Sequence, residues 1–296
     1  MPSKQNAMPV AGAISGALVW GLIWYPYRVL QGAGVSGTLA TLITFLLAML
    51  CGMILMPGAW RQLHPRFRAG WWAVLLVFSA GLTNFGYVLA VLHGEVMRVL
   101  LLFYLAPLWT ILFSFWLLGE RLNRYGAMVM LLSFCGAVIM LWEPQRGMPL
   151  PQNPAEWIGM FAGMAFALSN VVSRRAANLS LQAKSYTVWL GTALLTALLV
   201  WWQGGLIDRL QAIGMQSWLL LGLLGIVLFC STFALQYAIA NLSANRAIVL
   251  FLFELVVAVI SSYFLANETL HLRDWLGALL IVSASLLSGK LLPEPK

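Results

Sequence analysis

Glu254 sits in 250-LFLFELVVAV-259, a hydrocarbon run broken by one carboxylate. The apolar stretch runs from Ala247 to Phe253 before it and from Leu255 to Ile260 after it. A carboxylate at the centre of a membrane-spanning helix costs about 2.5–3.5 kcal/mol on insertion scales. Such a group must face other helices or water. Three kinds of chemistry suit it. It can bind the ammonium of a cationic or zwitterionic ligand. It can take up and release a proton. It can also tie helices together through hydrogen bonds. Helical spacing puts Ala247, Phe251, Ala258 and Ser261 on its face, a smaller surface than the side carrying Val256, Val259 and Ile260. The other acids (Glu95, Glu120, Glu143, Glu156, Asp208, Glu268, Asp274 and Glu294) fall at span ends, in loops or in the tail.

Several midspan polar residues need partners too, because the hydrocarbon supplies none. They are Asn84, Ser169, Asn170, Ser231 and Thr232. Ser and Thr can bond back to their own helix, so Asn84 and Asn170 are the better site candidates. Trp20 and Trp24 form one stripe in line with Gly12-x-x-x-Gly16, a pattern that favours helix contact. With Tyr87, Phe103 and Phe251 they are candidates to line a cavity and stack on a flat or cationic ligand. Tyr25, Tyr27, Trp71, Trp72, Trp201 and Trp202 read as interfacial belts. Pro107 lies midway along its span and can bend it, either as a hinge or as a static kink. Leu255 stands at the equivalent place in the second half, so any such hinge is expected to be asymmetric.

Enzyme chemistry has little to draw on. His64, His93 and His271 lie in or near loops, and no second acid or histidine shares the depth of Glu254. There is no G-x-S-x-G, no metal-ligand spacing and no G-x-x-x-x-G-K-[ST] phosphate loop. A membrane-embedded enzyme is therefore not expected, and neither is a cofactor or a metal. Cys51, Cys135 and Cys230 are odd in number and lie inside spans, which argues against a disulfide framework.

The elements that carry these residues follow from composition. The chain has 296 residues, 61% hydrophobic and 9% charged, against roughly 25% charged in a soluble domain. It reads as an all-α integral membrane protein with ten transmembrane helices. The expected spans are 9–30, 38–57, 71–92, 96–118, 125–142, 155–176, 185–203, 216–238, 242–266 and 273–291, each long enough for a hydrocarbon core of about 30 Å. The first span is too long for a signal peptide and lacks a cleavage pattern, so it is expected to stay in the protein. The net charge of +8 reflects topology rather than nucleic-acid binding. With both termini cytoplasmic, 12 of the 17 Lys and Arg residues face inward, including the cluster 61-RQLHPRFR-68. Arg98 and Arg246 fall near span ends, where snorkelling to the interface is the expected behaviour. No basic residue is expected at the midplane, which disfavours organic phosphates as ligands.

The two halves repeat one pattern. Gly12 and Gly16 match Gly159 and Gly163, and Arg28 matches Arg175, at an offset of 147. At an offset of 148, Arg98 matches Arg246, Phe103 matches Phe251 and Glu120 matches Glu268. Glu254 falls on Ala106, so a common fold does not require the acid. Five spans per half is an odd number, which inverts the second repeat in the membrane. The expected divisions are residues 1–142, a Pro-rich linker over 143–154, and residues 155–296.

The 5+5 layout, 119-GER-121, its counterpart 267-NET-269, and the Gly-Ala pairs that follow (Gly126-Ala127, Gly277-Ala278) resemble the drug/metabolite transporter superfamily, specifically its EamA-type members. The resemblance covers nearly the whole chain. It implies a multi-pass protein of the bacterial inner membrane that exports amino acids or related small metabolites by alternating access. It also implies a central cavity between spans one, three, four, six, eight and nine, with five and ten at the edge and Glu254 facing the cavity. Opine-type metallophores and toxic organic cations would fit the same features. The expected partners are a small-molecule substrate and membrane lipid, with the protein a monomer or a homodimer.

Overall fold

Small residues decide how closely the helices of this bundle approach one another. The computed structural model describes residues 7–59, 61, 70–93, 99, 102–142, 151–266 and 271–287, and holds no strand among them. Residues 62–68 of the basic cluster, Arg98, residues 143–150 of the linker and 267-NET-269 lie outside the described residues.

The helices in chain order are α1 (Ala7–Leu22), α2 (Trp24–Gly32), α3 (Gly37–Leu55), α4 (Gly70–His93), α5 (Ala106–Leu118), α6 (Arg124–Leu141) and α7 (Pro154–Arg175). They continue as α8 (Leu181–Gln203), α9 (Leu206–Gln211), α10 (Met215–Asn241), α11 (Ala244–Phe251), α12 (Phe253–Ala266) and α13 (Leu272–Leu287). Six segments are long and apolar enough to cross a membrane: Ala7–Gly32, Gly37–Leu55, Trp71–Ala90, Pro154–Arg175, Leu181–Gln203 and Met215–Asn241. Shorter apolar helices lie at Ala106–Leu118, Arg124–Ile139, Val249–Leu265 and Trp275–Ala284.

Among the described residues, side-chain caps start five of these helices. Ser36, Asn123, Asn153, Ser180 and Ser243 each accept a hydrogen bond from a backbone N–H three residues on, satisfying a donor the helix leaves open. Glu156 answers Asn153 by accepting from the Asn153 amide and from the Gln152 backbone N–H. This reciprocal cap is why Glu156 can be 2% exposed. α5 stops at Gly119, whose φ of 71° is left-handed and suits glycine.

α1 packs on α10 and α12, and α4 packs on α7 and α8. α6 pairs with α13. Two glycines are indispensable to this arrangement. A methyl group on Gly191 of α8 would overlap the backbone carbonyl of Val77 on α4. One on Gly163 of α7 would overlap the carbonyl oxygen of Phe103.

Three expected spans are interrupted. The first breaks at Ile23, between α1 and α2. Pro26 has no N–H to return to Leu22, and the Tyr27 N–H reaches the Ile23 carbonyl only at 3.4 Å. The fourth turns at Tyr104 and Leu105, and α5 then begins with Pro107 in its first turn, where a proline costs no helical hydrogen bond. The ninth breaks at Leu252, between α11 and α12. Leu252 lies 148 residues after Tyr104, so the interruption is present in both halves. The first-half interruption beside Pro107 thus has a counterpart in the second half, where no proline stands. The second break needs no proline, because the Leu255 N–H closes a tighter turn onto the Leu252 carbonyl at 3.1 Å.

Arg246 also departs from expectation. Its residue is 8% exposed and its Nε has no partner among the described residues, so it is enclosed by the bundle rather than snorkelled into water. Tyr27 is not a belt residue, since its hydroxyl meets the Thr44 hydroxyl at 2.7 Å. Trp71, Trp201 and Trp202 are well exposed, as belt residues are. The three cysteines are free.

Candidate functional site

Glu254 lies in the first turn of α12. The break at Leu252 therefore does more than bend the span. It exposes the positive end of a new helix dipole beside a carboxylate, an arrangement that favours negative charge. The buried Tyr104 hydroxyl donates a hydrogen bond to the carboxylate. Tyr104 stands at the matching break in the first half, so the two interruptions meet at this contact. Tyr87 of α4 lies close enough to interact electrostatically with Glu254.

The carboxylate opens on a cavity of about 110 Å³, room for several waters or a ligand of similar bulk. Trp20, Asn84, Tyr87, Phe103, Asn170, Phe251 and Glu254 all line it. They come from α1, α4, the segment before α5, α7, α11 and α12. Val188 adds α8 to the wall, which had not been expected to reach the cavity. No Lys or Arg is among the lining residues.

An aromatic chain crosses one wall. Tyr87 and Phe103 meet edge to face at 5.5 Å, Phe103 meets Phe166 at 5.6 Å, and Phe166 meets Phe251 at 5.9 Å. The polar wall has one open donor. Asn170 is 5% exposed, lines the cavity, and its Nδ2 has no hydrogen-bond partner among the described residues. Asn84 instead donates to the Ala80 carbonyl of its own helix at 3.1 Å, the behaviour expected of serine and threonine. Ser169 and Thr232 line the cavity, whereas Ser231 does not.

Trp24 does not line the cavity. Its indole N–H donates to the Ser261 hydroxyl at 3.0 Å, and the Arg28 guanidinium lies over its ring at 5.0 Å. Trp24→Phe is expected to lower stability by about 0.6 kcal/mol, the average for a hydrogen bond between membrane helices, and to leave ligand binding intact. A thermal melt beside a binding titration checks both. Loss of binding would return Trp24 to the site.

Residue types alone passed over four groups. Gln236 lines the cavity and accepts from the Ser173 hydroxyl. Its spacing of four from Thr232 was a usable signal. Phe166, four before Asn170, offered the same signal. Thr83 also lines the cavity. Tyr104 had no such signal, because its role depends on the break.

The described residues form an all-helical bundle whose long apolar helices enclose a small, mainly apolar cavity with Glu254 in its wall. The EamA-like transporter family matches residues 8–142 and again residues 153–289, and the chain belongs to that family as two repeats. It is similar to the protein RarD of Salmonella typhi, at 23% identity over 145 residues, 48% of this chain and 49% of RarD. The chain thus spans about half the length of that curated relative. An uncharacterized transporter of Archaeoglobus fulgidus is 29% identical over 220 residues, 73% of this chain and 75% of that protein. A solved structure known only as the crystal structure of a protein superposes with a TM-score of 0.68, covering 95% of this chain and 96% of that one at 20% identity. That likeness concerns the fold alone.

Proposed function

We propose that the chain is a secondary transporter that exports a small zwitterionic or cationic metabolite, an amino acid or a related compound, across the bacterial inner membrane. Ten spans in two inverted repeats, 1–142 and 155–296 about the linker 143–154, would alternate access to the cavity, with both termini cytoplasmic. The observation that carries this reading is one carboxylate, Glu254, facing a cavity whose lining holds no cation. An anionic ligand would have no counter-charge there, whereas an ammonium would have one. Glu254 binds that centre directly, or exchanges a proton for it. The open Asn170 donor suits a carboxylate or carbonyl oxygen on the same ligand.

A second cargo class has its own support. The aromatic wall formed with Trp20, Tyr87 and Phe103 suits organic cations and opine-type metallophores through cation–π contact.

A thermal-shift panel on the purified protein tests both. Amino acids, opine-type chelators, organic cations and organic phosphates are the ligands. A ligand at 100 times its Kd should stabilise by about 2.7 kcal/mol. Stabilisation is expected from an amine-bearing compound. A response to phosphates alone would sink the reading and move attention to Arg246.

A further inference from the structure

Lys184 is the most unusual charge in the structure. It is 4% exposed, in the first turn of α8. Lysines are almost never buried so deeply without a partner. Among the described residues, no carboxylate and no hydrogen-bond acceptor meets its ammonium. Its position adds to the difficulty, because the first turn of a helix repels cations.

Arg174 stands in the last turn of α7 at the same end of the bundle, where Ala176 and Ala183 pack together beside Trp72. Arg174 Nη2 lies 2.9 Å from Glu120 Oε1, so Glu120 holds the guanidinium in place but balances only one of the two cations. Counted over the described residues, the cluster retains a surplus positive charge. It lies where the chain leaves the membrane. Arg175 sits over the Trp72 ring at 5.6 Å, and Trp71 beside it is 68% exposed, marking headgroup level.

We propose that Arg174 and Lys184 form a binding site for a phosphate oxyanion at the membrane–water boundary, presented by an anionic lipid headgroup or by free phosphate. The guanidinium offers a planar donor pair, and the ammonium supplies a point charge from the adjoining helix. The ligand completes a charge balance that the protein leaves open. Basic pockets between membrane helices are suited to this chemistry. The site is separate from the Glu254 cavity and does not rest on the transport reading.

The test uses protein purified without anionic lipid. Phosphatidylglycerol, phosphatidylcholine and inorganic phosphate are titrated while melting temperature is followed, and retained lipid is read by native mass spectrometry. Phosphatidylglycerol should raise the melting temperature where phosphatidylcholine does not. Lys184→Gln should need about tenfold more phosphatidylglycerol for the same shift, the loss expected for one charge-assisted contact. Lys184→Arg should restore most of the response. Arg61→Gln, at an exposed basic residue outside the cluster, should match the wild type. Inorganic phosphate acting as well as the lipid would support the site with a soluble source, and lipid acting alone would support the headgroup. Identical responses of Lys184→Gln and wild type would overturn the proposal. So would equal retention of phosphatidylglycerol and phosphatidylcholine by the wild type together with no shift from inorganic phosphate, a reading that needs no variant to fold.

Discussion

Glu254→Gln should reduce binding of the amine-bearing ligand by ten- to a hundredfold. The estimate follows from removing one charge-assisted hydrogen bond, about 1.5–3 kcal/mol, at roughly 1.4 kcal/mol per tenfold. The substitution keeps the volume of the side chain, and its carbonyl oxygen can still accept from Tyr104. The fold should therefore survive, and the melting temperature without ligand should change little. Transport in proteoliposomes should fall with binding. Proton exchange at this carboxylate would add a second signature. Wild-type flux would then respond to a pH gradient, and the variant's flux would not. A variant that binds and transports normally at every pH would remove Glu254 from both roles. If that same variant melted at a lower temperature, a structural hydrogen bond would be the role that remained.

Gly163→Ala should cost about 3 kcal/mol of stability, the upper part of the usual range for overpacking. The added methyl overlaps the Phe103 carbonyl oxygen and comes within 2.8 Å of the Phe103 Cα and carbonyl carbon. These are backbone atoms, and no rotamer change can move them aside. Gly159→Ala makes a useful contrast. Its methyl would meet the Val99 Cγ1 at 3.0 Å, a side-chain atom that can give way, so its cost should be clearly smaller. Because Phe103 lines the cavity, Gly163→Ala should weaken ligand binding as well. Chemical or thermal denaturation of the three proteins measures the order. Equal stability of Gly163→Ala and wild type would mean that α7 and the Phe103 segment do not approach as closely as described.

The sequence was informative wherever one residue type answered to one physical demand. Apolar length located six helices long enough to cross a membrane and several shorter ones. The cost of a central carboxylate singled out Glu254 before any cavity was known. Gly-x-x-x-Gly marked Gly163, although the severity of its contact depends on a backbone from elsewhere in the chain. What could not be read was conformation without a residue signature. Leu252 is an ordinary helix former, yet the span breaks there. The proline that seemed to mark a hinge sits where a new helix simply begins. Trp24 shows the same limit from another side. Its spacing from Trp20 could not show that its indole would be taken up by Ser261, a partner far along the chain. Lys184 stands just before the expected span 185–203, and only its 4% exposure shows how deeply it is buried.

The aromatic chain has an energetic consequence. Phe103 and Phe251 occupy matched positions in the two repeats, and Phe166 touches both, at 5.6 and 5.9 Å. A ring between twin neighbours has two resting places of similar energy, so contact given up on one side is regained on the other. A carrier that exchanged the shapes of its repeats would gain nothing from this ring in either direction. The balance between its two facing states would then be set where the repeats differ, at Glu254 against Ala106 and Leu255 against Pro107. A bias of only 1.4 kcal/mol at those positions would shift the resting population tenfold. On the proposed function, Glu254 would thus both meet the cargo and help set which side the empty carrier faces while it waits.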